Sequence, residues 1–89
     1  MQNPSFEILY HPDVPRKDLP KITEDIKRRI KRAIESKLTK SPEEFGEPLR
    51  RTLKGYWKLR VGDYRVIYKL EAKLVIILKI GHRREVYHQ

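Results

Sequence analysis

Two groups of cations near the C-terminus carry the residue types best suited to chemistry. The first lies in the run Tyr56-Trp57-Lys58-Leu59-Arg60-Val61-Gly62-Asp63-Tyr64-Arg65. Gly62-Asp63 has the form of a two-residue hairpin turn with glycine first, which favours type II′. Val61 then faces Tyr64, Arg60 faces Arg65, Leu59 faces Val66, Lys58 faces Ile67 and Trp57 faces Tyr68. Strand side chains alternate between faces. Trp57, Leu59, Val61, Tyr64, Val66 and Tyr68 therefore share an apolar face and read as core. Tyr56, Lys58, Arg60, Arg65, Ile67 and Lys69 share the other, which is cationic and carries a phenol. Arg60 opposite Arg65 is unfavourable in a bare sheet, because like charges across strands repel. Two readings stay open. Both arginines can splay into water at a cost of a few tenths of a kcal/mol, roughly the scale of exposed pairs. Alternatively an anion sits between them, and a phosphodiester fits because the guanidinium fork matches two phosphate oxygens.

The second group is Gly81-His82-Arg83-Arg84-Glu85-Val86-Tyr87. It brings an imidazole, two guanidiniums and a phenol just past a strand, where functional sites are often built. By itself it also reads as a basic tail with Tyr87 packed as a lid.

The elements that must position these groups are legible from hydrophobic period. Residues 6–10 alternate apolar and polar as a short strand, ended by His11-Pro12-Asp13. Asp13 is placed to cap a short helix over 14–19, with Pro15 in its first turn and Pro20 closing it. Ile22, Ile26, Ile30, Ile34 and Leu38 recur every four residues, with Ala33 beside them, which predicts an amphipathic helix. Thr23 or Asp18 is its expected cap, and Glu24 and Asp25 suit its positive end. Its polar face carries Lys27, Arg28, Arg29, Lys31, Arg32 and Lys37, a run that reads as a solvated surface. Ser41-Pro42-Glu43-Glu44 has the form of a capping box, and a loop follows through Phe45-Gly46-Glu47-Pro48. From residue 49 onward the pattern is β-rich: 49–53, 56–61, 64–70 and 74–80, separated by tight turns. Residues 74–78 are continuously apolar, so the expectation is a strand buried on both faces at the sheet centre. The predicted fold is α+β: a small antiparallel sheet of about four strands in the order β-α-α-β-β-β, with two N-terminal helices packed on one face.

Composition narrows the class of partner. The chain has 89 residues, enough for a single domain with one modest core. The absence of cysteine excludes disulfides and thiolate metal sites and suits a reducing cytoplasm. No signal peptide or membrane span is read, since the longest apolar run is too short to cross a bilayer. The formal charge is +9, which points to a polyanion or an acidic protein as partner. A lysine-rich thermophile surface is the plainer alternative.

Together, the stretches GYWKLRVGDYRVIY (55–68) and GHRREVY (81–87) resemble the two diagnostic segments of the RelE/ParE superfamily. These are the toxins of bacterial and archaeal type II toxin–antitoxin systems. The strand-then-basic-helices order of the N-terminal half follows the same plan, so the resemblance spans nearly all of 1–89 as one RelE-like domain. It implies a cytoplasmic, ribosome-dependent endoribonuclease that cleaves messenger RNA by attack of the ribose 2′-hydroxyl on the adjacent phosphate, with no cofactor and no metal. Lys58, Arg65, Arg83 and Tyr87 match the catalytic positions. Lys58 matches a catalytic lysine, Arg65 and Arg83 the arginines on the phosphate and its transition-state charge, and Tyr87 the tyrosine against base and ribose. Tyr56, which stands where the best-known RelE enzyme has a second lysine, Arg60 and His82 are possible accessory groups, and Lys54, Lys69 and Arg84 are expected RNA contacts. The general base is open among Lys58, Tyr56, Tyr87 and His82. The implied partners are an acidic RelB-like antitoxin, the ribosome with its message, and operator DNA only through the antitoxin complex. The family offers two other readings: a ParE-like gyrase poison, and a catalytically degenerate member that only binds RNA or antitoxin.

Overall fold

The computed structural model of the protein describes residues 5–49 and 55–86. Its centre is a five-stranded sheet in the order β1-β5-β4-β3-β2. The strands are β1 (Glu7–Tyr10), β2 (Glu47–Pro48), β3 (Tyr56–Val61), β4 (Tyr64–Glu71) and β5 (Leu74–His82). β2 through β5 pair antiparallel, but β1 runs parallel to β5. The α+β class and the helical layer on one face are as expected. The sheet, however, is mixed and has a fifth strand at Glu47–Pro48, where a loop was expected. The parallel pair follows from the crossover: the whole helical segment lies between β1 and the hairpins, which is the length a parallel connection needs. The expected strand over 49–53 falls almost wholly outside the described residues.

The helical layer begins with a π-helical turn (Val14–Asp18) and a 3₁₀ turn (Leu19–Lys21). Pro20 sits inside that second turn rather than ending the first. Helix α1 (Glu24–Ala33) continues directly into a π-helical segment, Ile34–Leu38. The four-residue spacing of Ile22 to Leu38 explains the change. At 100° per residue each such step drifts about 40° around an α-helix. The wider π turn winds the stripe back, so Ile30, Ile34 and Leu38 are all at most 2% exposed. Asp13, Thr23 and Ser41 occupy N-cap positions, yet none makes a side-chain cap bond. Asp18 serves another end. Its Oδ2 accepts the Ile80 N–H at 2.9 Å, beyond the point where β1 stops pairing with β5.

Val14, Ile30, Ile34 and Leu38 meet Leu59, Val66, Tyr68, Val75, Ile77 and Ile80 in one core. β5 does not lie at the sheet centre; β4 does. β5 also alternates, with Val75 and Ile77 fully buried and Leu74, Ile76 and Leu78 half-buried. The register jumps from Tyr68↔Ile77 to Ile67↔Lys79, so Leu78 is a bulge that returns Ile80 to the core face. Its apolar run therefore reflects this change of phase and a sheet face without helices, not burial on both sides. Among the described residues no helix is long and apolar enough to cross a membrane.

The β4–β5 turn holds Ala72 at φ +55°, a left-handed conformation that costs an L-residue about 1–2 kcal/mol. Ala72→Gly removes that cost but adds chain entropy of about 0.5–1 kcal/mol. The expected net gain is about 0.5–1 kcal/mol, a rise in melting temperature of about 2–8 °C. A melting temperature that stays level or falls in a thermal scan would contradict the strain.

Candidate active site

The β3–β4 hairpin forms in the register that its turn predicts: Arg60↔Arg65, Lys58↔Ile67 and Trp57↔Tyr68. Gly62 has φ +61°, while Asp63 stays at negative φ, which fits type II′ rather than I′. Arg60 is exposed, but Arg65 is only 8% exposed and does not splay into water. Its Nη1 donates to the carbonyls of Gly62 and Tyr64, both at 2.9 Å. Its Nε is buried and finds no hydrogen-bond partner among the described residues. A buried guanidinium short of partners is costly. The residue also lines an open cavity.

The C-terminal segment reaches that cavity because β5 pairs with β4 up to Arg65↔Gly81 and Tyr64↔His82. Helix α3 (Arg83–Val86) follows at once. The Arg83 N–H donates to the Asp63 carbonyl at 2.8 Å, and its Nε lies 3.7 Å from the Asp63 carboxylate. The hairpin turn and the C-terminal segment are thus tied together. Gly81 permits α3 to fold back: a Cβ there would come within 3.0 Å of Val86 Cγ2.

Lys58, Arg60, Arg65, Arg83 and Arg84 line the resulting open cavity of about 380 Å³. Five cations converge on one space. Besides Asp63 on Arg83, a second carboxylate stands beside them: Glu47 lies 3.8 Å from Lys58 Nζ and 3.6 Å from Arg60 Nε. The sequence reading missed Glu47. The faint signal was an acidic residue followed by Pro48 just before the β-rich half, and proline favours an edge strand. Glu47 is placed by helix α2 (Pro42–Phe45) and by Tyr68. The buried Tyr68 hydroxyl donates to the Pro42 carbonyl at 2.7 Å. A Cβ on Gly46 would overlap the same hydroxyl, so the chain entering β2 lies directly on the phenol.

Burial, then the Glu43 charge, push the Tyr68 phenol well above its ordinary pKa of 10.0. The folded state therefore holds this proton more tightly than the unfolded chain does. The stability from that preference is complete below pH 10 and is lost as the pH rises further. Tyr68→Phe is expected to lose about 1–2 kcal/mol at neutral pH, because the buried Pro42 carbonyl loses its donor. Above pH 10 its stability should fall less steeply than that of the wild type. Parallel curves in alkaline denaturant titrations would contradict this.

Other residues singled out from sequence lie elsewhere. His82 pairs with Tyr64 on the core-side face, ring centroids 5.5 Å apart, and lines a separate cavity with Asp18, Lys21 and Glu85. Its Nδ1 accepts the Arg84 N–H at 3.1 Å, so it orients the start of α3. Tyr56 and Lys69 face each other across the hairpin, Lys69 Nζ 5.7 Å from the ring centre, and neither lines the cation cavity. Lys69 is engaged by Glu71 at 3.0 Å, and that hydrogen bond raises its pKa. Arg84, expected as an RNA contact, lines the cavity. Tyr87 and Lys54 lie outside the described residues.

A small α+β protein with helices on one sheet face and a cation-lined pocket at a hairpin on the other is the class that this geometry defines. Residues 8–87 match the family model described as ParE toxin of type II toxin-antitoxin system, parDE. The chain belongs to the RelE/ParE superfamily of type II toxin–antitoxin toxins. It is 34% identical to Toxin RelG of Mycobacterium tuberculosis over 76 residues, covering 83% of this chain and 87% of that protein. It is similar to a chain of the toxin–antitoxin complex RelBE2 from Mycobacterium tuberculosis, with TM-score 0.80 and 30% identity, covering 89% of this chain and 99% of that one. A chain of the archaeal RelE–RelB complex from Pyrococcus horikoshii gives TM-score 0.68 at 26% identity, covering 90% and 97%.

Proposed function

We propose that the protein is a cytoplasmic endoribonuclease toxin that cuts messenger RNA on the ribosome and is neutralised by an acidic antitoxin. The observation that carries this reading is the convergence of five cations, one of them the buried Arg65, on a cavity with Glu47 at its side. Charge builds on the phosphate oxygens during phosphoryl transfer, and cations fixed in advance stabilise it. Arg65 and Arg83 take that part. Glu47 takes the 2′-hydroxyl proton, since an ionised carboxylate only accepts. The 2′-oxygen bonds to phosphorus, the bond to the 5′-oxygen breaks, and Lys58 donates a proton to that leaving oxygen. The products are a 2′,3′-cyclic phosphate and a 5′-hydroxyl. Tyr87, by the family resemblance, orients base and ribose, and operator DNA is met only through the antitoxin complex.

The toxin–antitoxin complexes among the similar structures support the antitoxin as partner. No observation among the described residues favours the gyrase reading. The test is a cell-free translation reaction with new messenger ends mapped. Cuts within codons that disappear with Arg83→Ala support the proposal; intact message at inhibitory toxin concentration overturns it.

A further inference from the structure

The basic face of α1 is not uniform. Glu24 holds Lys27 at 3.0 Å, and Asp25 holds Arg28 at 2.7 Å. Arg29 has no carboxylate partner among the described residues and reaches instead toward the tip of the β3–β4 hairpin. Its Nη2 lies 3.4 Å from the point where a Cβ on Gly62 would sit. With Ile26, Val61, Asp63 and Tyr64 it borders a cavity of about 200 Å³ on that side of the tip. Gly62 is thus flanked from two sides: Arg65 Nη1 binds its carbonyl, and Arg29 faces its Cα. Arg83 is tied to the next residue, Asp63. Cations therefore continue from the proposed phosphate cavity around the hairpin tip to α1. Arg32, exposed one turn further along α1, extends the same side of the helix.

We infer that the hairpin tip and Arg29 form a second phosphate-binding site, which holds the RNA backbone beyond the nucleotides in the cavity. The inference rests on the RNA reading of that cavity. A single-stranded backbone carries a phosphate on every nucleotide, so a strand leaving the cavity over the tip meets Arg29 next. Glycine at the tip lets the Arg29 guanidinium lie close to the backbone there. The site adds affinity without reading sequence, because phosphate contacts carry no base information.

The test uses oligonucleotides with 2′-O-methyl riboses, which cannot be cleaved by 2′-attack, and measures binding against salt. The wild type should bind a dodecanucleotide more tightly than a tetranucleotide. Arg29→Ala should weaken the dodecanucleotide alone and reduce its log–log salt slope by about 0.7, the single-strand value for one phosphate contact. The advantage of the wild type then shrinks by about 2.6-fold when salt rises fourfold. Arg29→Lys, which keeps the charge, should retain the slope. An unchanged slope in Arg29→Ala overturns the inference. So does a loss seen with a polyglutamate peptide but not with RNA, which would make the site one for an acidic protein. Arg65→Ala should weaken the tetranucleotide as well, so the cavity and the tip can fail separately.

Discussion

Arg65→Ala is expected to lower the rate of RNA cleavage by about 10²–10³-fold, the usual cost of removing one preorganised donor at a site of developing charge. The case rests on where Arg65 sits. Its side chain is almost fully buried, one nitrogen is anchored to two turn carbonyls, and the residue lines the cavity. Such a group is already oriented when substrate arrives, and its low-dielectric setting strengthens its field. The fold should survive the change. Alanine removes two hydrogen bonds, at about 0.5–1.5 kcal/mol each in general, but it also removes a buried charge facing Arg60. Arg65→Lys should remain well below wild type, because an ammonium keeps the charge without the two-pronged geometry. Single-turnover cleavage on programmed ribosomes, read beside a thermal melt, decides the matter. A folded Arg65→Ala protein that cleaves at the wild-type rate would remove Arg65 from the chemistry.

Glu47→Gln is expected to slow cleavage by about 10²–10⁴-fold, the range for losing a general base. Glutamine keeps the shape and the strand but cannot take the proton. Glu47 is about half exposed, and its contacts to Lys58 and Arg60 are 3.8 and 3.6 Å. Exposed ion pairs of that kind contribute about 0–1 kcal/mol. Stability should therefore hardly change, which separates chemistry from unfolding. If both proteins cleave at the same rate, the base lies elsewhere, with Tyr87 the next residue to change.

These two residues differ in how openly the sequence declared them. Arg65 was visible because a hairpin is a local object. Gly62-Asp63 selects the turn, the turn sets the register, and the register sorts Lys58, Arg60 and Arg65 onto one face. Glu47 was invisible because its neighbours come from another segment. Its place depends on Tyr68 anchoring α2 from the middle of the sheet. His82 is the converse case: it is next to Arg83 in the chain, yet its pairing with Tyr64 turns it toward the core side.

What the chain determines unaided is therefore short-range. Apolar spacing and turn chemistry specify α1, the three long strands, the two faces of the hairpin and the placement of Trp57, Tyr64 and Tyr68 on the face away from the cations. Tertiary structure alone decided the rest: that β1 pairs parallel with β5, that Leu78 bulges, that Asp18 holds Ile80 from 62 residues away, and that Glu47 stands beside the five cations. Each of these joins groups from different elements. Their meeting is set by how the helices pack across the sheet, a long-range outcome that no local period or turn signal encodes.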